Sequence, residues 1–226
     1  MTTVRIETYP SAEDLARGVA ERIAGLVNAA DERVTIGLAG GSTPRAAYQA
    51  LAGMSLDWDR TDLWLSDERW VSHDHERSNG RMVVETLLGS AEARLHRPIW
   101  NVNLEASDSA AHYEATIRAL HHDHRPDLVH LGLGADGHTA SLFPGSRALE
   151  ATWRWVVANP IDAETRITST YPLLWQAGTL LVQVSGSDKA AAVRDSMAGN
   201  TPASRLVEGD AEVEWHLDEE AAALIS

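Results

Sequence analysis

An α/β fold is the architecture this sequence predicts: a mostly parallel, doubly wound (Rossmann-like) sheet with helices on both faces. Two observations carry that expectation. Strand-like apolar runs alternate with helical patterns along the whole chain. Three polar clusters, "GGSTP", "SDERW" and "GADGHTAS", each follow such a run. In open α/β sheets, ligands bind outside the carboxyl ends of the strands, which is where those clusters fall.

The elements follow in order. "VRIETY" alternates and reads as a first strand. "SAEDLARGVAERIAGLVNAA" predicts a helix from about Ala12 to Ala30, with Ser11 as N-cap and Asp14 an acidic residue of the first turn. "RVTIGLAGGSTPRAAYQAL" reads strand, glycine turn, helix. "TDLWLSDERW" is a strand ending in charge, and "ERSNGRMVVETLL" becomes helical after Asn79. "SDSAAHYEATIRALHHDH" is a further helix and "DLVHLGLG" a further strand. "RWVVAN", "RITSTY" and "GTLLVQVSG" read as strands, and "SDKAAAVRDSMAG" as a helix. "VEWHLDEEAAALI" closes the pattern as a short strand and a helix.

The 226 residues are 44% hydrophobic and carry no Pro/Ser-rich linker, so one domain over residues 1–226 is expected. The net charge of −14 argues against a nucleic-acid partner, which demands clustered Lys and Arg. The absence of cysteine excludes disulfides, thiolate metal sites and cysteine nucleophiles. The amino terminus has no apolar signal core, and no run approaches the ~18 apolar residues of a membrane span. A cytoplasmic, soluble protein is expected, as a monomer or small homo-oligomer.

In "LAGGSTPRAAY", Ser42 or Thr43 can cap the following helix, with Pro44 suited to its first position. Amides at the positive end of a helix make an anion site fit for a phosphate, although the same residues also suit an ordinary turn. The stretch matches neither the nucleotide-triphosphate loop nor the dinucleotide glycine pattern. In "LWLSDERWV", Asp67, Glu68 and Arg69 form either an exposed charged turn or a polar wall in which Arg69 fixes a positive charge. "GLGADGHTASLFPG" is the most specific stretch. His138 exchanges protons near neutral pH, and Asp136 is close enough to orient it. Arg166 and Lys189, at strand–helix junctions of an acidic chain, suit a phosphate. The clusters His73–His75 and His121–His124 lack helical metal-ligand spacing, so neither a metal nor a cofactor is expected.

Taken in order, "GGSTP" (40–44), "SDERWV" (66–71) with "SN" (78–79), "LGLGADGHTASLFPG" (131–145), "RIT" (166–168), "SGSDKA" (185–190) and "TPASRL" (201–206) make the chain resemble the glucosamine-6-phosphate isomerase/6-phosphogluconolactonase superfamily, and within it the lactonases. The resemblance spans nearly the whole chain. It implies metal-independent hydrolysis of a sugar phosphate lactone, 6-phosphoglucono-1,5-lactone, in the oxidative pentose phosphate pathway. It implies His138 as general base, with Asp136 and Asp67 in the same site, and Gly41, Ser42, Thr43, Arg69, Arg166 and Lys189 binding substrate, mainly its phosphate. Trp70 and Trp175 depart from the common pattern, and Trp175 is expected to reshape the pocket wall.

The opening of a lactone needs an activated water and a protonated leaving oxygen, and one histidine can serve both in turn. The related deaminases follow the histidine with a glutamate; here residues 139–145 carry no carboxylate. A non-catalytic sugar-phosphate sensor would have no need of Asp136 and His138. Ser141 is a weaker candidate nucleophile, because nothing in the sequence supplies its base.

Overall fold

The computed structural model describes residues 2–89, 94–121 and 125–225. In chain order the strands are β1 (Val4–Tyr9), β2 (Val34–Leu38), β3 (Thr61–Leu65), β4 (Asp67–Arg69), β5 (Arg94–His96), β6 (Leu128–Gly132), β7 (Val156–Ile161), β8 (Glu164–Ser169), β9 (Thr179–Val184) and β10 (Glu212–Asp218). The helices are α1 (Ala12–Ala29), α2 (Ser42–Ala52), α3 (Asn79–Val83), α4 (Ala106–Leu120), α5 (Tyr171–Leu174), α6 (Ala190–Met197) and α7 (Glu219–Ala222).

Seven strands form a sheet in the order β1-β10-β9-β6-β2-β3-β5, every pair parallel. β2, β3 and β9 are buried at every position, because helices cover both of their faces. One apolar cluster packs α1, α2 and α3 on one face through Leu15, Val19, Ile23, Tyr48 and Met82. The second packs α4, α5 and α6 on the other through Tyr113, Ile117, Leu173 and Val193. Each fully buried Leu or Ile contributes about 1.5–3 kcal/mol relative to exposure. The doubly wound expectation is therefore met.

The chain order sets the position of the site. From β2 the chain winds outward through β3 to β5. It then returns to β6 and winds the other way through β9 and β10. The reversal falls between the neighbours β2 and β6, and such a switch point leaves a crevice at the carboxyl ends of the two strands. "GGSTP" follows β2 and "GADGH" follows β6.

Several expectations are corrected. "TDLWLSDERW" is two strands in two sheets. β3 ends at Leu65, and β4 turns away to pair antiparallel with β8, which pairs with β7. "RWVVAN" and "RITSTY" thus form a small antiparallel sheet outside the parallel one; alternation alone does not say which sheet a strand joins. The helix after Ser78 is α-helical only to Val83 and continues as a π-helical turn over Val84–Leu88. The closing helix is short, Glu219–Ala222. β5 and α5 are additional elements. His122, Asp123 and His124 lie outside the described residues. Ser11 caps α1 as expected, its hydroxyl accepting from the Asp14 amide at 3.1 Å.

Candidate active site

At the switch point lies a cavity of about 360 Å³. Gly41, Ser42, Thr43, Asp67, Arg69, His138, Arg166 and Lys189 all line it. Five separate segments of the sequence therefore converge on one space. Asp136 is not on the cavity wall but stands behind His138.

His138 is held by its own turn. Asp136 Oδ1 lies 2.5 Å from His138 Nδ1 and also accepts from the His138 backbone amide at 3.2 Å. The turn closes through Gly134 N–H to His138 O, 2.8 Å. Gly134 is required by close approach: a Cβ there would fall 2.1 Å from His138 Nδ1 and 2.6 Å from Asp136 Oδ1. Phe143 backs the imidazole, with ring centroids 4.1 Å apart. A carboxylate beside Nδ1 demands a proton there, which leaves the lone pair on Nε2. Burial works to raise the Asp136 pKa, yet the bonds from the His138 amide and ring hold it below the usual carboxylate value.

Asp67 takes a different place. Its Oδ2 accepts from the Ser141 hydroxyl at 2.6 Å, and Asn79 Nδ2 lies 3.3 Å from its Oδ1. Among the described residues the His138 ring bonds to Asp136, so the two carboxylates named from the sequence divide between His138 and Ser141. Ser141 itself is buried, with its amide on Thr168 Oγ1 and its carbonyl on Asn159. Its hydroxyl partner is a carboxylate rather than an imidazole.

β4 is fixed by Glu68. Its buried carboxylate accepts from the amides of Arg69, Asn79 and Gly80 and from the Ser78 hydroxyl, at 2.7–2.9 Å. Burial pushes the Glu68 pKa up, against the pull of those donors. Asn79 Nδ2 also donates to the Asp67 carbonyl at 2.9 Å. Gly40 passes so close to Asn79 that a Cβ would overlap its side-chain oxygen, which explains the glycine there. In the sequence Asn79 belongs to the "SN" pair, and nothing local there signals this role.

Arg69 and Arg166 are direct cross-strand partners of β4 and β8. Like charges set opposite each other repel. Burial and then Arg69 lower the Arg166 pKa. Arg166 contacts Glu164 at 2.9 Å and Arg69 donates to the Arg77 carbonyl at 2.7 Å, yet the Nε atoms of both are buried without a partner. Two facing guanidiniums with free donors suit an anion. Lys189 ends a 3₁₀ turn and lines the same cavity.

The "GGSTP" turn is corrected in detail. α2 begins at Ser42 with Gly41 as N-cap, no side chain caps it, and Pro44 is the third helical residue rather than the first. The first amides of α2 thereby face the cavity side uncapped, as an anion site needs. Trp175 does not reach the cavity wall. It stacks on Tyr171, with centroids 5.3 Å apart, and donates to Arg205 O. Of the histidine clusters, His73 meets the Pro98 carbonyl and His75 accepts from the Arg77 amide. Among the described residues no three His, Cys, Asp or Glu side chains are grouped to hold a metal ion. No helix among them is long and apolar enough to cross a membrane.

Fold and cavity define a class: an α/β protein with a polar cavity at its switch point, lined by an oriented histidine and facing cations. Comparison with known proteins gives the family. The chain belongs to the glucosamine-6-phosphate isomerases/6-phosphogluconolactonase family, whose sequence model matches residues 10–215. A protein named 6-phosphogluconolactonase from Rhizobium meliloti is 38% identical over 187 residues, covering 79% of each chain. One from Synechocystis sp. is 36% identical over 199 residues, covering 83% of this chain and 82% of the other. The solved structure of 6-phosphogluconolactonase from Trypanosoma brucei superposes with a TM-score of 0.86 at 26% identity, covering 100% of both chains. A monomeric glucosamine-6-phosphate deaminase shares the fold with the same TM-score at 21% identity. The fold alone therefore does not separate the two chemistries.

Proposed function

We propose that the protein hydrolyses 6-phosphoglucono-1,5-lactone to 6-phosphogluconate, in the cytoplasm and without metal or cofactor. The observation that carries the reading is the His138–Asp136 pair on a turn with no carboxylate through Gly145. Relatives carrying the lactonase name support it.

His138 Nε2 takes a proton from water as the oxygen attacks the lactone carbonyl. The imidazolium formed is stabilised by Asp136, which keeps its negative charge. The tetrahedral intermediate collapses, the bond to the ring oxygen breaks, and Nε2–H protonates that oxygen. No proton moves between carbons, so the second acid–base group that a deaminase needs has no task here. Arg69, Arg166, Lys189 and the first amides of α2 supply the positive field for the phosphate and the developing oxyanion. Phosphate binding holds the carbonyl in place, so remote binding energy serves the chemistry.

The test is two assays on one chelator-treated preparation. Lactone hydrolysis above the spontaneous rate, with no ammonia release from glucosamine 6-phosphate, is the expected result. Ammonia release without lactonase activity overturns the reading, and silence in both favours a sensor. Activity lost to chelator and restored by zinc or manganese overturns metal independence.

A further inference from the structure

Three polar side chains lie in the apolar layer between the sheet and α2: Tyr48, His130 and Gln183. Each is at most 1% exposed. His130 interrupts the apolar run of β6, and Gln183 that of β9. A buried polar group costs free energy unless it is bonded, and these three bond in series. Tyr48 Oη lies 3.0 Å from the Ala39 carbonyl and 3.1 Å from His130 Nδ1. His130 Nε2 lies 2.9 Å from Gln183 Oε1. Both ends of the series, Ala39 and Gln183, line the active-site cavity.

The series has a direction. Burial pulls the His130 pKa down to about 3, so the ring is neutral and carries one proton. Gln183 Oε1 is an acceptor, which places that proton on Nε2; the bare Nδ1 then shares the single Tyr48 hydroxyl proton with the Ala39 carbonyl. The amide of Gln183 is thus anchored by its oxygen. Its Nε2 is buried and has no partner among the described residues.

Open space lies beside it. Gly132 on β6 is the register partner of Gln183 on β9, so their side-chain directions share one face of the sheet. A Cβ built on Gly132 would meet nothing within 4 Å. Gly132 also lines the cavity. A leucine at position 183 would fill the same core without this unmatched donor.

We infer that Gln183 is a specificity-determining residue whose Nε2–H donates to a ring hydroxyl of the bound phosphorylated lactone, with His130 and Tyr48 as positioning residues that hold the amide oxygen. A neutral donor suits a hydroxyl, whereas the phosphate is matched by the cations. A site built to bond a substrate oxygen also discriminates against the analogue that lacks it. The inference rests on the lactonase reading.

The experiment is a coupling measurement on the whole protein. Rates are taken for wild type and Gln183→Leu with 6-phosphogluconolactone and its 2-, 3- and 4-deoxy analogues, thermal unfolding confirming the fold. Gln183→Leu is expected to raise KM for the parent lactone roughly 5- to 10-fold, the size of one neutral hydrogen bond, with kcat changed less. One deoxy lactone should lose a similar factor with wild type and none further with the variant. His130→Leu, which frees the amide to turn, should weaken that coupling. If the losses from Gln183→Leu simply multiply with those from every deoxy substrate, Gln183 does not touch the sugar and the inference fails alone. If wild type hydrolyses no lactone, the lactonase reading falls and takes the inference with it. Should the variants unfold, the wild-type protein still decides. The Gln183 side-chain ¹⁵N–¹H₂ signals, identified by their proximity to His130, should shift on adding 6-phosphogluconate, and an unmoved pair overturns the inference.

Discussion

The two ends of the parallel sheet both carry a recess, and they differ in how their polar groups are used. The cleft at the amino ends of β1, β10, β9 and β6 is the larger, about 960 Å³ against about 360 Å³ at the carboxyl ends. The two serines that line it are bonded: Ser196 Oγ to Thr201 Oγ1 at 2.7 Å, and Ser204 Oγ to the Thr201 carbonyl at 2.5 Å. Nearby at the amino ends of β2, β3 and β5, buried Asp62 meets Arg33, His96 and Arg94 at 2.7, 2.9 and 3.2 Å. At the carboxyl end the pattern inverts. Arg69 and Arg166 face each other with unpartnered Nε atoms, and the imidazole of His138 is bonded on one nitrogen. Volume does not separate the two recesses by use; the facing guanidiniums and the imidazole bonded on one side do.

That contrast can be broken from either end. The largest effect should come from His138→Ala, which ought to lower kcat at least ~100-fold with the fold intact, as loss of a general base does. Asp136→Asn should lower kcat by a smaller factor, because an amide facing Nδ1 favours the tautomer protonated on Nε2. Near-wild-type turnover in either folded variant removes the assignment.

Arg166→Ala should raise KM for the phosphorylated lactone by about 10- to 100-fold, the range of a charge-assisted hydrogen bond. Unphosphorylated gluconolactone should be much less affected. Steady-state kinetics on both substrates decides this, and equal losses would count against a phosphate role.

The amino end should behave oppositely. Asp62→Asn should leave KM and kcat near wild type but cost about 1.5–3 kcal/mol of stability, because its carboxylate bonds to charged partners. Burial pushes the Asp62 pKa up, but His96 and Arg33 hold it below the usual value of 3.8. A folded pKa below the unfolded one means that the stabilisation is present above about pH 4 and fades as pH falls further. The variant should therefore lose less stability than wild type between neutral and strongly acidic pH. Chemical denaturation across that range measures it, and parallel pH profiles would contradict the pairing.

The smallest effect belongs to the larger cleft. Val207→Ser, on its half-exposed rim, should change stability by no more than about 0.5 kcal/mol and leave the kinetics alone. A loss of activity there would mean that the amino-end cleft communicates with the site.

Much of this was legible along the chain. Ser11 and the apolar periodicity fix α1, and the apolar runs fix β2, β6 and β9, because local backbone preference and burial pattern act over a few residues. The Asp136–His138 pair was legible too, since only Gly137 stands between its members and one glycine turn closes it. The residues at positions 41–43, 67, 69, 138, 166 and 189 could be named from the sequence as candidates for one site. Their convergence depends on the order of strands, which places the ends of β2 and β6 side by side.

Tertiary structure decided what separation in sequence hides. Asp67 is bonded to Ser141, 74 positions away, and not to His138. The chain leaves the parallel sheet at Ser66 because β4 finds its partner in β8, about 100 residues later, which no local pattern encodes. Gln183 and His130 carried a faint signal, a polar residue within each apolar strand, but the meaning of that signal lies in their contact across neighbouring strands. Propensity and periodicity are short-range, so the sequence by itself determined the elements and the chemical groups available. Pairing between distant strands, and the packing that leaves some polar groups satisfied and others free, was decided only in three dimensions.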